Sequence, residues 1–310
     1  MVVTIDLMLQ ILQSVIIPVF IVIAVGFVIR RCTSIESRSL SSVILYAFSP
    51  CLVFTGIANS SLAGRAWGEI SFVTIGNALV MMILSWGISK TLRLNQKLTS
   101  AFILSTALVN SGNYGLPVNS LAFGEKGFEI AVVYYVVSSV ISYTLGVFIA
   151  SRGTQGLKQS LFSVARLPLM YGALAAFAVR YFTLQVPQPI LQSVSLVSGA
   201  AIPAMLIVLG MELAEPGLVH SNSAHWKLAS LSSVIKLLFP IIPVSLLSQL
   251  IGLTGLTGNV VLIQACMPTA VLAVIFTIKF KGASQFVTSV QIISTLMSLL
   301  TLTVLLSFMM

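Results

Sequence analysis

The chain has 310 residues and a formal net charge of +9; 57% of its residues are hydrophobic and only 7% are charged. A soluble domain carries about 25% charged residues, so this composition excludes a soluble protein and indicates an integral membrane protein. The positive charge does not indicate nucleic-acid binding, because the basic residues fall in short gaps between apolar segments.

Ten apolar segments follow one another, and each is long enough to cross a bilayer, which needs ~20 residues at helical rise. They cover about residues 9–29, 40–60, 68–89, 98–123, 127–150, 161–182, 189–211, 228–251, 256–278 and 283–308. The first ends in Arg30-Arg31 and not in a small-residue cleavage site, which predicts a membrane span and not a removable signal. The predicted fold class is an all-α integral membrane protein with ten transmembrane helices.

The basic residues predict the orientation of these segments. Odd-numbered gaps contain 12 lysines and arginines, whereas even-numbered gaps contain only Arg65, Lys126 and Arg180. The positive-inside rule therefore places the odd gaps in the cytoplasm. We expect a multi-pass protein of the cell inner (plasma) membrane with both termini outside.

The fourth segment is interrupted by an octet, residues 110–117, that combines two asparagines, two glycines and a proline. Pro117 lacks a backbone N–H, and Gly112 and Gly115 allow angles that a helix does not use, so the octet predicts two half-helices. A break at membrane depth has to be buried in protein or line a wet cavity. Asn110 and Asn113 could satisfy the freed backbone groups, as in a structural kink, or bind a substrate.

The ninth segment carries a matching interruption around Met267-Pro268-Thr269, and segments two and seven carry Pro50 and Pro203. Interruptions and prolines at corresponding places indicate two repeats of five segments, residues 1–155 and 156–310. Because five is odd, the second repeat has to be inverted in the membrane. Inverted repeats with paired broken helices are typical of secondary transporters.

The octet, followed by Phe-Gly-Glu-Lys-Gly, resembles the auxin efflux carrier family, within the superfamily of bile acid, arsenite and riboflavin transporters. Pro268 resembles the second crossover proline of the family, and the stretch from Lys236 to Pro240 resembles a motif of prokaryotic members. The resemblance implies a ten-helix inverted repeat in which helices four and nine are broken and cross. It also implies export or exchange of small organic anions.

The expected substrate site follows from helix electrostatics. The second halves of segments four and nine begin near Pro117 and Pro268 from opposite sides, and a helix N-terminus offers unpaired N–H groups and roughly +0.5 charge. Two such ends form an anion site without a basic side chain. The candidate substrate-binding residues are Asn110, Gly112, Asn113, Gly115, Pro117, Met267, Pro268, Thr269 and Lys236.

Three of these expectations have alternatives. Lys236 lies deep inside a span, where it could neutralise the anion, extend towards the cytoplasm or bond exposed carbonyls. The two helix ends could satisfy only each other's carbonyls. A polar run in segment five could line the cavity or only pack helices closely; it consists of Ser138, Ser139, Ser142 and Tyr143.

Metal, cofactor and enzymatic chemistry are not expected. His220 and His225 share one polar gap without other ligands, and the three cysteines have no metal-type spacing. No nucleophile–base pair or phosphate-binding loop occurs, so we do not expect an enzyme. All seven acidic residues lie in gaps or near segment ends, which favours uniport or exchange over coupling to protons.

The sequence thus predicts a secondary transporter of small organic anions, such as mono- or dicarboxylates, that works by alternating access. Its substrate would bind at the crossover of helices four and nine. A sodium-coupled solute carrier of the same architecture is the first alternative, and a membrane sensor or channel is the second. The expected partners are the anion and membrane lipid, not nucleic acid, and a homodimer is an open alternative to a monomer.

Overall fold

The computed structural model describes residues 5–152, 156, 160, 162, 164–215 and 223–309; His220 lies outside them. This part of the chain is helical apart from turns, short connections and one isolated β-bridge. The helices are α1 (Ile5–Cys32), α2 (Ser37–Ala58), α3 (Gly64–Thr91), α4 (Gln96–Ala107), α5 (Ser111–Ala150), α6 (Pro168–Tyr181), α7 (Gln188–Leu213), α8 (Ser223–Leu238), α9 (Ile241–Ile251), α10 (Gly255–Ala265), α11 (Val271–Lys279) and α12 (Ser284–Ser307).

Seven helical stretches in the described residues are at least 22 residues long and apolar enough to cross a membrane. Their outer surfaces carry large apolar side chains, such as Leu196, Leu250 and Leu300, which are 79%, 75% and 69% exposed. Soluble proteins rarely expose contiguous apolar surface on this scale, so these side chains form the lipid-facing surface. The predicted class of all-α integral membrane protein is confirmed.

The long helix α5 folds back on itself at Gly124. This glycine has φ 64° and ψ −155°, a left-handed conformation outside the helical range. Ser111 Oγ lies 2.6 Å from Ser138 Oγ, although the two residues are 27 positions apart. A straight helix of that length would separate them by ~40 Å, so the arms of α5 before and after Gly124 run antiparallel. The turn falls in the predicted gap between segments four and five.

Both predicted interruptions at membrane depth are present. Residues 108–110 separate α4 from α5, and residues 266–270 separate α10 from α11. The other two prolines behave differently. Helix α7 continues through Pro203, and α2 continues through Pro50 after a widened π-helical turn at Ile44–Phe48. These prolines therefore do not divide their helices.

The helices pack in two groups. In the first group α1 packs on α7, α6 packs on α2, and α7 also packs on α2. In the second group α3 packs on α4 and α9, and α8 packs on α12 and α4. Helix α5 contacts helices of both groups. The start of α5 packs on α7 and α10.

Glycines bring α1 and α7 into backbone contact. A Cβ atom at Gly210 would overlap the backbone of Ile23, and a Cβ atom at Gly26 would overlap the backbone of Ile207. Small residues at a crossing let membrane helices approach closely, and van der Waals packing then holds them together. The first helix group depends on this contact.

We expect Gly210→Ala to destabilise the folded protein by about 1–3 kcal/mol, because the added methyl group has to push α1 and α7 apart. Thermal unfolding of the detergent-purified protein, followed by circular dichroism, measures the effect. Gly199→Ala on the same helix is the matched control, because its Cβ would meet no atom within 4 Å. Equal unfolding midpoints for the two variants would contradict the close contact.

Candidate functional site

A cavity of about 260 Å³ lies between helices of the first group, α5 and the start of α11, and it borders the breaks. Its walls come from α2, α5, α7, the break before α5 and the start of α11. From the breaks it extends along α2 to Arg38, along α7 to Glu212 and along α11 to Ile275. Arg38 and Glu212 lie at the helix ends that border the first and seventh gaps, and Ile275 lies on the helix that leads to the ninth gap; all three are gaps that the positive-inside rule assigns to the cytoplasm.

The two breaks are hydrogen bonded to each other. Val109 and Thr269 form an isolated antiparallel β-bridge. The Asn110 N–H donates to the Pro268 carbonyl at 2.9 Å, and the Ala270 N–H donates to the Leu108 carbonyl at 3.0 Å. This pairing satisfies backbone groups that the interruptions free, in a region where lipid cannot satisfy them. It also holds the start of α5 beside the start of α11.

The N-termini of α5 and α11 border the same cavity. Ser111, Gly112 and Asn113 from the first turn of α5 line it, as do Val271 and Leu272 from the first turn of α11. The first four N–H groups of a helix have no acceptor within the helix, and the helix dipole is positive at this end. The cavity is therefore electropositive where the two breaks meet.

Asn110 adds an unused donor at the same place. Asn110 is 5% exposed and lines the cavity. Its Nδ2 atom has no hydrogen-bond partner among the described residues. A buried amide without a partner loses about 1–3 kcal/mol relative to water, so such groups usually have a role. Asn113 also lines the cavity and is partly exposed.

The polar run of α5 both lines the cavity and supports packing. Ser138, Ser139, Ser142 and Tyr143 all border the cavity. Ser138 Oγ also bonds Ser111 Oγ, and Ser142 Oγ donates to the Ser138 carbonyl at 2.8 Å. Both alternatives considered for this run are therefore present together.

Several predicted site residues shape the breaks without lining the cavity. Thr269 is fully buried, and its Oγ1 donates to the Ser105 carbonyl at 2.7 Å. Gly115 leaves room for the amide of Gln264, whose Nε2 donates to the Ser111 and Ala131 carbonyls at 3.4 Å. Three further candidates are buried and do not line the cavity: Pro117, Met267 and Pro268.

Lys236 lies outside the cavity lining and is 1% exposed. Its Nζ atom donates to the Ala265 carbonyl, the last residue of α10, at 3.0 Å. A cation at the C-terminus of a helix interacts favourably with the free carbonyls and the dipole there. Of the three roles considered for Lys236, this contact matches the bonding of exposed carbonyls at a break.

If the cavity takes the anion that the sequence predicts, we therefore expect Lys236→Gln to leave the affinity for that anion within about threefold of wild type in protein that remains folded. Isothermal titration of the purified variant measures the affinity, and its unfolding midpoint reports the lost contact with α10. A tenfold or larger loss of affinity at an unchanged midpoint would instead place the ammonium group in contact with the substrate.

Two charged residues of the cavity were not among the sequence candidates. Arg38 lines the end of the cavity from α2 and is exposed, and Glu212 lines it from the last turn of α7. The sequence predicted that Arg38 and Glu212 lie at segment ends, and in the structure they lie at helix ends. What the sequence did not show is that the cavity extends far enough from the breaks to reach them.

Comparison with known proteins gives consistent results over nearly the whole chain. Residues 11–306 match the model of a family described as membrane transport protein. An uncharacterised transporter of Methanothermobacter thermautotrophicus is 24% identical over 296 residues, which are 93% of this chain and 95% of the relative. An uncharacterised transporter of Methanocaldococcus jannaschii is 23% identical over 298 residues, which are 93% and 96% of the two chains.

Proposed function

This chain belongs to the membrane transport protein family, the auxin efflux carrier family that its octet resembles, and on that premise we propose a secondary transporter of small organic anions. One observation carries the anion proposal: the N-termini of α5 and α11 border one cavity, together with the unpartnered Asn110 amide. Helix N-termini bind carboxylates and phosphates through free N–H groups.

The substrate is proposed to bind with its carboxylate at the breaks. Asn110, Gly112 and Asn113 supply donors from the α5 side, and the first N–H groups of α11 supply donors from the other. Arg38 at the end of the cavity contributes a positive charge that attracts anions towards the opening. A volume of about 260 Å³ suits a small mono- or dicarboxylate, because drug-sized ligands fill pockets of roughly 300–1,000 Å³.

We infer that the ten spans form two inverted five-helix repeats that cross at the breaks, with residues 1–155 and 156–310 as the repeats. Three observations support this inference. The arms of α5 are antiparallel, α4 and α10 both end at interruptions, and these interruptions pair through an antiparallel bridge. The two helix groups are then the bodies that rock against each other during alternating access.

The conformation described here is proposed to be open to the cytoplasm. The cavity extends towards the gaps that the positive-inside rule places there. On the other side of the breaks, Thr55 Oγ1 and Ser198 Oγ approach to 2.8 Å and join α2 to α7, and Arg180 donates to the carbonyls of Ile57 and Ser60. These contacts hold α2, α6 and α7 of the first group together on that side.

A cysteine introduced at Arg38, in a background without the three native cysteines, is expected to react with an impermeant thiol reagent only from the cytoplasmic side. A cysteine at Arg65, in the second gap, is expected to react only from outside. Whole cells and inverted vesicles supply the two sides. Labelling of the Arg38 position in whole cells would reverse the proposed orientation.

A sodium-coupled carrier is the second candidate, and a separate observation favours it. A small cavity of about 10 Å³, the size of roughly one water molecule or ion, lies next to the first break. Thr74, Asn77 and Ser138 line it, and Asn77 Oδ1 is buried without a hydrogen-bond partner in the described part of the chain. Oxygen atoms of amides, hydroxyls and backbone are suitable ligands for a hard cation.

The deciding experiment uses purified protein in liposomes and a panel of acids: acetate, malonate, malate and indole-3-acetate. Uptake or exchange of at least one radiolabelled acid, competed by its unlabelled form, is expected without a sodium gradient. Transport that requires sodium would favour the second candidate. If no carboxylate binds or moves, while a neutral or cationic solute does, the anion proposal is wrong.

A further inference from the structure

The end of α7 carries two glutamates in contrasting environments. Glu215 accepts hydrogen bonds from Arg30 Nε at 3.0 Å and Arg30 Nη2 at 2.9 Å, so its charge is balanced. Glu212 lies one turn earlier and has no ion-pair partner among the described residues. Its Oε2 atom is shielded from solvent and has no hydrogen-bond partner there either. Within the described residues, Glu212 therefore lacks an ion pair, and the Gln291 amide is the polar group beside it.

Glu212 borders both the cavity and a residue of α12. It lines the same cavity as Asn110 and Asn113, and it neighbours Gln291 of α12, which is 3% exposed. Gln291 Nε2 also lacks a hydrogen-bond partner in the described chain. The Glu212 carboxyl lines the cavity, and the Gln291 amide of α12 is its polar neighbour outside the cavity lining.

No charged group of the described residues forms an ion pair with Glu212. Helix α1 contributes Arg30, which is engaged by Glu215. Helix α2 contributes Arg38, an exposed side chain at the end of the cavity, and α5 contributes the phenols of Tyr135 and Tyr143. Burying an unpaired carboxylate is costly, and a bound proton removes that cost by removing the charge.

We propose that Glu212 binds one proton for each substrate anion, so that anion and proton cross the membrane together; this inference rests on the proposed function. The Glu212 carboxylate takes the proton from water in the cavity and returns it to water on the other side, so charge and atoms balance. An ionised Glu212 would repel an anion in the same cavity, so anion binding and protonation favour each other. Such coupling is reciprocal: each ligand raises the affinity for the other by the same factor.

This inference revises one expectation from the sequence. The positions of the acidic residues at segment ends favoured uniport or exchange, because a proton-carrying carboxyl was expected at the centre of a span. Glu212 is at a helix end, but the cavity that begins at the breaks extends to it. A carboxyl group that shares a cavity with the substrate can couple to it without lying at the membrane centre.

The test is isothermal titration of the purified protein with the tightest-binding acid of the panel, in two buffers with different ionisation enthalpies. Wild type is expected to take up as much as one proton per anion bound, and its affinity should fall with rising pH by up to about tenfold per pH unit. Glu212→Gln is expected to bind the anion with no proton uptake and no pH dependence. Glu69→Gln is the matched control, because Glu69 pairs with Arg65 on the exposed face of α3, away from the cavity.

The possible failures are distinguishable. If no acid of the panel binds wild-type protein at any pH, the proposed function fails. If an acid binds wild type without proton uptake, or if Glu212→Gln keeps the full pH dependence, only the role of Glu212 is overturned. The number of protons that wild-type protein takes up on binding tests the role of Glu212 even if Glu212→Gln does not fold. Infrared spectroscopy adds a ligand-free readout, because a protonated-carboxyl band that disappears in Glu212→Gln identifies the group, and an unchanged band contradicts the assignment.

Discussion

The double variant Asn110→Ala/Asn113→Ala is expected to bind its carboxylate substrate at least a hundredfold more weakly than wild type while remaining folded. Each amide is proposed to donate one hydrogen bond to a charged oxygen, and such a bond contributes roughly 1.5–3 kcal/mol, or about ten- to a hundredfold in affinity. The two residues are close in sequence, so the double loss need not equal the product of the single losses. Titration calorimetry and radiolabelled binding measure the affinities.

Asn95→Ala is the matched control for this variant. The Asn95 side chain accepts a hydrogen bond from the Leu98 N–H at 3.0 Å. It caps the N-terminus of α4, at the opposite end of this helix from the break. Its loss should cost ~1 kcal/mol of stability and leave affinity unchanged. If the double variant instead melts early and binds normally, the octet is a structural kink and not a substrate site.

The second large effect is expected for Gly115→Val, which should abolish transport and lower stability. A Cβ atom at this position would collide with the side-chain amide of Gln264, which is fully buried and bridges the carbonyls of Ser111 and Ala131. Overpacking costs about 1–3 kcal/mol. Displacing the amide leaves buried groups unpaired and costs roughly 1–3 kcal/mol more.

Gly87→Val on α3 controls for the change of residue type, because its Cβ would meet no atom within 4 Å. Transport in liposomes and thermal unfolding are measured for both variants. The close approach of α10 to the start of α5 would be disproved by a Gly115→Val protein with wild-type transport and stability.

The sequence predicted those parts of the fold that depend on local chemistry. The interruptions at residues 108–110 and 266–270 follow from glycine, asparagine and proline, and the reversal at Gly124 follows from a polar gap. Helix continuity through Pro50 and Pro203 was not predictable from residue type, because neighbouring helices decide whether a proline is accommodated. The sequence identified the octet but could not separate its members into residues that line a cavity, such as Asn110, and residues that shape the backbone, such as Gly115.

The remaining features depend on contacts between residues distant in the chain. The carbonyl partner of Lys236 belongs to α10, and the neighbour of Glu212 belongs to α12. The pattern of residues within one helix does not predict which residue of another helix it contacts. The sequence placed Arg38 and Glu212 at helix ends, yet the roles proposed for them depend on the extent of the cavity, which is a property of how α2, α5, α7 and α11 pack.

The bond between the two breaks also constrains how the protein is made. Thr269 Oγ1 and the Ser105 carbonyl are 164 positions apart, and the backbone bridge between Val109 and Thr269 spans a similar length of chain. A ribosome therefore releases the first break into the membrane well before its partner has been synthesised. Until then the Leu108 carbonyl has no permanent donor and the Asn110 N–H has no permanent acceptor, and lipid supplies neither. The nascent first half must keep these groups hydrated or temporarily paired, so completion of the ninth span is the step that finishes the fold of the fourth.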